Sequence, residues 1–155
     1  MTVRAAPPVA SASMAGFTLI ELMVVVAVVA ILATLALPAI QGKLVREQIV
    51  EAMKLAEIAK VPIAVAWAAS QALPANNAAA GLPPAERIVG SLVGSVRVED
   101  GAIQVAFGNR ASSVIRGKTL SLRPAVVEDA PMVPVAWVCG NAPVPVPMTV
   151  HGVNR

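Results

Sequence analysis

The sequence predicts an α+β protein in which one long N-terminal helix, membrane-spanning in its first half and amphipathic in its second, packs on a small antiparallel sheet of three to four strands. Three observations predict it. A 24-residue apolar stretch runs from Phe17 to Ile40 with Glu21 as its only formal charge. A segment with apolar residues three and four apart follows it directly. Beyond residue 94 the period of the apolar positions changes from helical to two. Mean hydropathy is +0.74, yet only 14% of the 155 residues are charged and 3% aromatic. That places the apolar excess in one span rather than in several.

Residues 1–16 read as a leader, small and near neutral, with Arg4 their only cation. Residues 17–43 form the hydrophobic helix, FTLIELMVVVAVVAILATLALPAI and the turn after it. At ~1.5 Å of rise per residue, 24 residues cross a hydrocarbon core of ~30 Å. The Val and Ile content does not indicate a strand, because a segment in lipid must satisfy its own backbone hydrogen bonds. A cleaved secretory signal, with an apolar region of ~7–15 residues, is shorter and has no use for an acid inside the run.

Residues 44–155 form the remaining globular domain. Within it, 44–72 is the amphipathic helix. Leu44, Val45, Ile49, Ala52, Met53, Ala56 and Ala59 line one side, and Arg46, Glu47, Glu51, Lys54 and Glu57 fall largely on the other. Pro62 is expected to kink this helix or end it early. Residues 73–94, rich in Ala, Gly and Pro, are a connecting loop. Residues 95–140 are the antiparallel sheet: Val96 and Val98, the turn Glu99-Asp100-Gly101, and Ile103, Val105 and Phe107 make a hairpin. Leu120 and Leu122 supply a third strand before Pro124, and Val135, Trp137 and Cys139 share one face of a fourth. Residues 141–155 are a Pro-rich tail, unsuited to a central strand.

Function classes narrow at once. One cysteine and one histidine allow neither an internal disulfide nor a His-based metal cluster from one chain, so no metal and no cofactor is expected. An anchored enzyme using Cys139 as nucleophile and His151 as base lacks an orienting third group. The cations Arg87, Arg97, Arg110, Arg116, Lys118 and Arg123 have no interleaved aromatic residues for base stacking. A nucleic-acid partner is left open on that count, and the set reads first as a solvated face.

Glu21 carries the sharpest signal. A charge in the hydrocarbon region costs ~2.5–3.5 kcal/mol at a helix centre and less near its end, so this carboxylate invites a cation. Cleavage between Gly16 and Phe17 would create one, an α-amino group a helical turn away on the same or a neighbouring helix. Such a pair in low dielectric favours one register between packed helices.

The stretch GFTLIELMVVVAVVAILATLALP resembles the N-terminal motif of type IV pilins. The resemblance extends more weakly through RIVGSLVGSVRVEDGAIQVAFGN, IRGKTLSLRPAV and VAWVCGNA. It implies a structural, non-enzymatic subunit of a bacterial type IV pilus, cut after Gly16 by a prepilin peptidase and N-methylated at Phe17. It implies assembly through Phe17 and Glu21 into a helical homo-oligomer on an inner-membrane platform. The globular domain would be periplasmic before assembly, and the product an extracellular fimbrium serving adhesion, twitching motility or DNA uptake. A type II secretion pseudopilin or a minor pilin shares the motif and is the alternative. Pro38 fits the family, and with Gly42 marks where the helix bends or melts on packing.

Three features depart from the family pattern: a leader with a single cation, Pro62 inside the amphipathic helix, and Cys139 without the second cysteine that closes a C-terminal loop. For Cys139 an unpaired or intermolecular thiol and a buried apolar side chain both remain open.

Overall fold

A computed structural model describes residues 16–155, except for the side chains of 36–39. The leader expected over residues 1–16 therefore lies almost wholly outside the described residues. Helix α1 spans Leu19–Ser70, 52 residues. The chain divides at Ile40/Gln41 into an N-terminal unit and a second unit, Gln41–Arg155. The first unit's described part is helix, exposed over residues 19–35.

In the second unit α1 buries Ala52, Ala56, Ala59, Ile63 and Trp67, spaced by three or four residues as one helical face requires. The helix runs past Pro62, contrary to the expected kink or early end. A proline deprives the carbonyl four residues back of its donor, and here that residue is Ile58, half exposed to solvent. Ile63 next to it is wholly buried in the core, and that burial favours continuing the helix.

The sheet is antiparallel and five-stranded: β1 (Val93–Glu99), β2 (Ala102–Phe107), β3 (Thr119–Val126), β4 (Ala136–Cys139) and β5 (Thr149–Val150). The first four lie in the order β1-β2-β3-β4, and β5 pairs with β3. The β1–β2 turn has Asp100 at φ 47° and Gly101 at φ 81°, the two left-handed residues that let a two-residue hairpin follow the strand twist. Val96 and Val98 pair with Val105 and Ile103, and Ile103 pairs with Leu122. These residues form the sheet face that shares the core with α1.

Three expectations are corrected here. Strand β3 does not stop before Pro124 but continues to Val126. Ala125 faces Ala136 of β4 on one edge and Val150 of β5 on the other, so β5 takes over the edge that β2 leaves after Leu122. Pro124 stands at that changeover, where an absent N–H breaks no ladder, and its carbonyl accepts the His151 N–H at 2.9 Å. The Pro-rich tail thus contributes a strand. For Cys139 the buried alternative falls: it keeps the face of Trp137, pairing with Leu122 as Trp137 pairs with Pro124, but it ends β4 and is exposed, whereas its neighbour Val138 is buried.

After β5 the tail crosses the other sheet face. Gln104 Nε2 donates to the Val153 carbonyl at 2.7 Å, and Ser121 Oγ donates to Gln104 Oε1 at 2.6 Å. Ser121 Oγ also accepts the Arg155 N–H at 3.0 Å, and Arg155 Nε lies 2.9 Å from a Glu99 carboxylate oxygen. Gln104 and Ser121 are buried polar side chains, and the tail supplies the partners that such groups need.

The hinge of this strap is Gly152, at φ 83°. A Cβ there would fall 2.5 Å from Ala102 Cβ and 3.1 Å from the Asp100 carbonyl. Gly152→Val is therefore expected to cost about 1–3 kcal/mol through backbone strain and overlap. Thermal unfolding of the full chain in detergent micelles checks this, and an unchanged midpoint would count against the hinge.

Candidate assembly interface

Gly16, Phe17 and Thr18 precede the first turn of α1. Thr18 is the N-cap: its Oγ1 accepts the Glu21 N–H at 3.3 Å, and its carbonyl accepts the Leu22 N–H at 3.2 Å. Thr18-Leu19-Ile20-Glu21 has the spacing of a capping box, a signal the sequence reading passed over. Glu21 sits in the first turn, where the helix dipole favours a negative charge. Among the described residues it forms no ion pair.

From there to Leu35 the helix is apolar on every side, and no other described residue covers it. Phe17 is 82% exposed and Leu35 71%, and the large apolar side chains between them are 50% exposed or more. The stretch is long and apolar enough to cross a membrane. A helix hydrophobic all round is stable only when lipid or other helices surround it. α1 continues through Pro38 and Gly42.

In the second unit the outward side of α1 is also apolar: Leu44, Val50, Ile58, Val61 and Val65 are half exposed or more. The expected division into apolar core side and charged outer side therefore holds only in part. Val45, Ile49, Ala52, Ala56 and Ala59 take the core side as expected, but Leu44, expected with them, is half exposed, and the outer side mixes apolar residues with Glu47, Glu51, Lys54 and Glu57.

The remaining candidates do not converge on chemistry. Cys139 pairs in register with Leu122 from the β4 side, whereas His151 bonds Pro124 from the β5 side, so β3 separates thiol from imidazole. His151 lies instead 3.5 Å from Glu128, with its ring centroid 6.3 Å from that of Trp67. Among the described residues no group of three or more His, Cys, Asp or Glu side chains comes together. An open cleft of about 530 Å³ beside β1 is lined by Asn77, Glu86, Arg97 and Glu99, among others. Its guanidinium lies 3.5 Å from Glu86 and 3.9 Å from Glu99.

The structure disperses the six cations singled out in the sequence. Arg123 donates through Nε and Nη2 to the Gly140 carbonyl, Arg97 faces the cleft, and Arg87 ends a 3-10 turn, Ala85–Arg87. Arg110, Arg116 and Lys118 share the loop between β2 and β3.

Comparison with known proteins agrees with this arrangement. The family model described as Pilin (bacterial filament) matches residues 45–152, and the Prokaryotic N-terminal methylation motif matches residues 12–37. The chain is 41% identical over 128 residues to a Fimbrial protein of Neisseria meningitidis serogroup B, covering 81% of this chain and 72% of the relative. It is 40% identical over 127 residues to a Type IV major pilin protein PilE of Neisseria gonorrhoeae, covering 81% and 74%. To Fimbrial protein EcpC of Eikenella corrodens it is 35% identical over 129 residues, covering 81% and 82%.

Proposed function

The chain belongs to the pilin family, structural subunits of type IV pili, and from that premise we propose how it is processed and assembled. One observation carries the proposal: an apolar helix left uncovered on all sides, with a carboxylate in its first turn five residues after Gly16. Before assembly the helix holds the subunit in the bacterial inner membrane with residues 44–155 in the periplasm. A prepilin peptidase cuts between Gly16 and Phe17, and Phe17 is N-methylated. Glu21 then engages the new N-terminus of a neighbouring copy on the assembly platform, which sets the axial register of each added helix.

The outward row Val50, Ile58, Val61 and Val65 extends the apolar packing surface into the second unit. Packing energy and helix burial account for the subunit's work, and no catalytic step is assigned to it. Names of relatives such as Type IV major pilin protein favour the filament's main subunit over a pseudopilin or minor pilin. Adhesion, twitching motility and DNA uptake are the roles such a filament would serve.

The N-terminal mass of protein sheared from cells tests this reading. The expected chain lacks residues 1–16, begins at methylated Phe17 and is abundant in the sheared fraction. Gly16→Asp is expected to keep the precursor mass. A chain cut near Ala39, or one that keeps Met1 and never leaves the membrane, would overturn the reading. Correct processing with only trace amounts in the sheared fraction would transfer the chain to the pseudopilin or minor-pilin class.

A further inference from the structure

The charge of the second unit is not evenly spread. Lys43, Arg46, Lys54, Arg110, Arg116 and Lys118 share their region with two carboxylates, Glu47 and Glu51, whereas the rest of residues 41–155 carries five cations and six carboxylates. The fold brings this set together at one end. Gln48 Oε1 on α1 accepts the Ser112 N–H at 2.9 Å, and Ala111 and Ile115 share the core with Val45 and Ile49. The Arg110 N–H bonds the Ser91 carbonyl at 3.0 Å, and Ser91 Oγ donates to Glu51 at 2.7 Å. The β1–β2 turn lies toward the opposite end of the unit, where the Asp100 N–H bonds the Ala75 carbonyl beyond α1.

All six cations are exposed, and their local neutralisation is slight. Lys43 lies 4.0 Å from Glu47 with both side chains in solvent. Arg116 gives Nε and Nη2 to the Ala111 carbonyl, an uncharged acceptor. Among the described residues the other four have no carboxylate within ion-pair distance.

Along the chain Lys43 follows Ile40, the last residue of the apolar stretch, by three residues, and Arg46 follows it by six. Both cations thus directly follow the apolar stretch in sequence, where juxtamembrane basic residues meet an anionic leaflet. We propose that this basic collar binds the phosphodiester headgroups of anionic glycerophospholipids while the subunit is held in the membrane before assembly. Guanidinium groups suit phosphate through paired hydrogen bonds, and clustered cations beside a membrane segment are drawn to anionic leaflets over about a Debye length. The collar contains no aromatic residue on which a nucleic-acid base could stack, so lipid is favoured over DNA. The proposal rests on the membrane-held state described above.

The test uses the full chain reconstituted in nanodiscs of mixed phosphatidylglycerol and phosphatidylcholine, with retained lipids counted by native mass spectrometry. Wild type is expected to retain phosphatidylglycerol over phosphatidylcholine by about tenfold at low salt and less at high salt. Arg110→Gln with Lys118→Gln is expected to reduce the preference to about twofold or less, since each cation near an anionic surface contributes about a fivefold factor. Arg87→Gln with Arg97→Gln removes equal charge elsewhere and is expected to keep the preference, with circular dichroism verifying the fold of both variants. Equal retention of the two lipids by wild type overturns the proposal, as does equal loss in both double variants. Binding of a duplex oligonucleotide at the same salt without a lipid preference assigns the collar to nucleic acid instead and also overturns it. Because the measurement is made on unassembled protein, a failure of filament assembly leaves its outcome readable.

Discussion

A chain carrying Glu21→Ala is expected to enter the membrane and fold as wild type does, while the yield of sheared filaments falls by about tenfold or more. An equilibrium constant changes tenfold for every ~1.4 kcal/mol, and a filament repeats the affected contact at every subunit. The residues folding the second unit lie elsewhere, in Ala52–Trp67 and the sheet. Glu21 has a competing local role, because its N–H is capped by Thr18 and its carboxylate lies in the first helical turn. Glu21→Gln separates the two roles: glutamine preserves the capping-box pattern but removes the charge. If charge sets the register, the Gln variant assembles as poorly as the Ala variant. Filaments from Glu21→Gln at wild-type abundance would reduce the residue to a helix cap. Filament mass from sheared cells, against subunit mass in the membrane fraction, decides between them.

Asn77→Ala is expected to destabilise the second unit by about 3 kcal/mol. Asn77 is buried, and its amide closes the free edge of β1: Nδ2 donates to the carbonyls of Pro83 and Val96, and Oδ1 accepts the Val98 N–H at 2.6 Å. Alanine would leave the buried Val96 carbonyl and Val98 N–H without their partner, each at a cost of ~1–3 kcal/mol before relaxation, and would free the part-buried Pro83 carbonyl. For a unit of this size the unfolding midpoint should drop by about 10–20 °C, measured by circular dichroism of the full chain in micelles. Asn77→Asp should fall between, since it keeps the acceptor for Val98 and loses both donors. A midpoint within experimental error of wild type would mean that the loop from residue 73 does not hold the β1 edge.

The apolar span, the core face of α1 and the β1–β2 hairpin were legible because each repeats its signal. Twenty-four residues without a second charge, alanines three and four apart, and valines two apart flanking Asp-Gly each admit one interpretation. The tail failed because a two-residue strand has no period to read, and its pairing depends on where β2 ends rather than on anything in PVPMTVHG. Prolines misled twice. Pro62 and Pro124 were treated as stops, but each occupies a place where the lost donor is tolerated, opposite solvent at Ile58 and at the β2–β5 changeover. Alternation placed Cys139 on the Trp137 face, as the pairing confirms, but alternation does not tell how far the core covers a strand's last residue, and Cys139 is exposed. In the N-terminal segment the acid in an apolar run singled out Glu21, which lies in the first turn of α1. Thr18 was overlooked beside the stronger charge signal.

The strap from Gly152 to Arg155 has a consequence for how the subunit matures. Its closure uses Gln104, Ser121 and Glu99 and no bond between sulfur atoms, while the one thiol of the 155 residues stays free at the end of β4. Residues 152–155 are therefore held by contacts that form with the fold itself. These strap contacts should persist under reducing conditions. Cys139, exposed at the end of β4, lies outside the strap's contacts, so a reporter attached there would leave the strap closed.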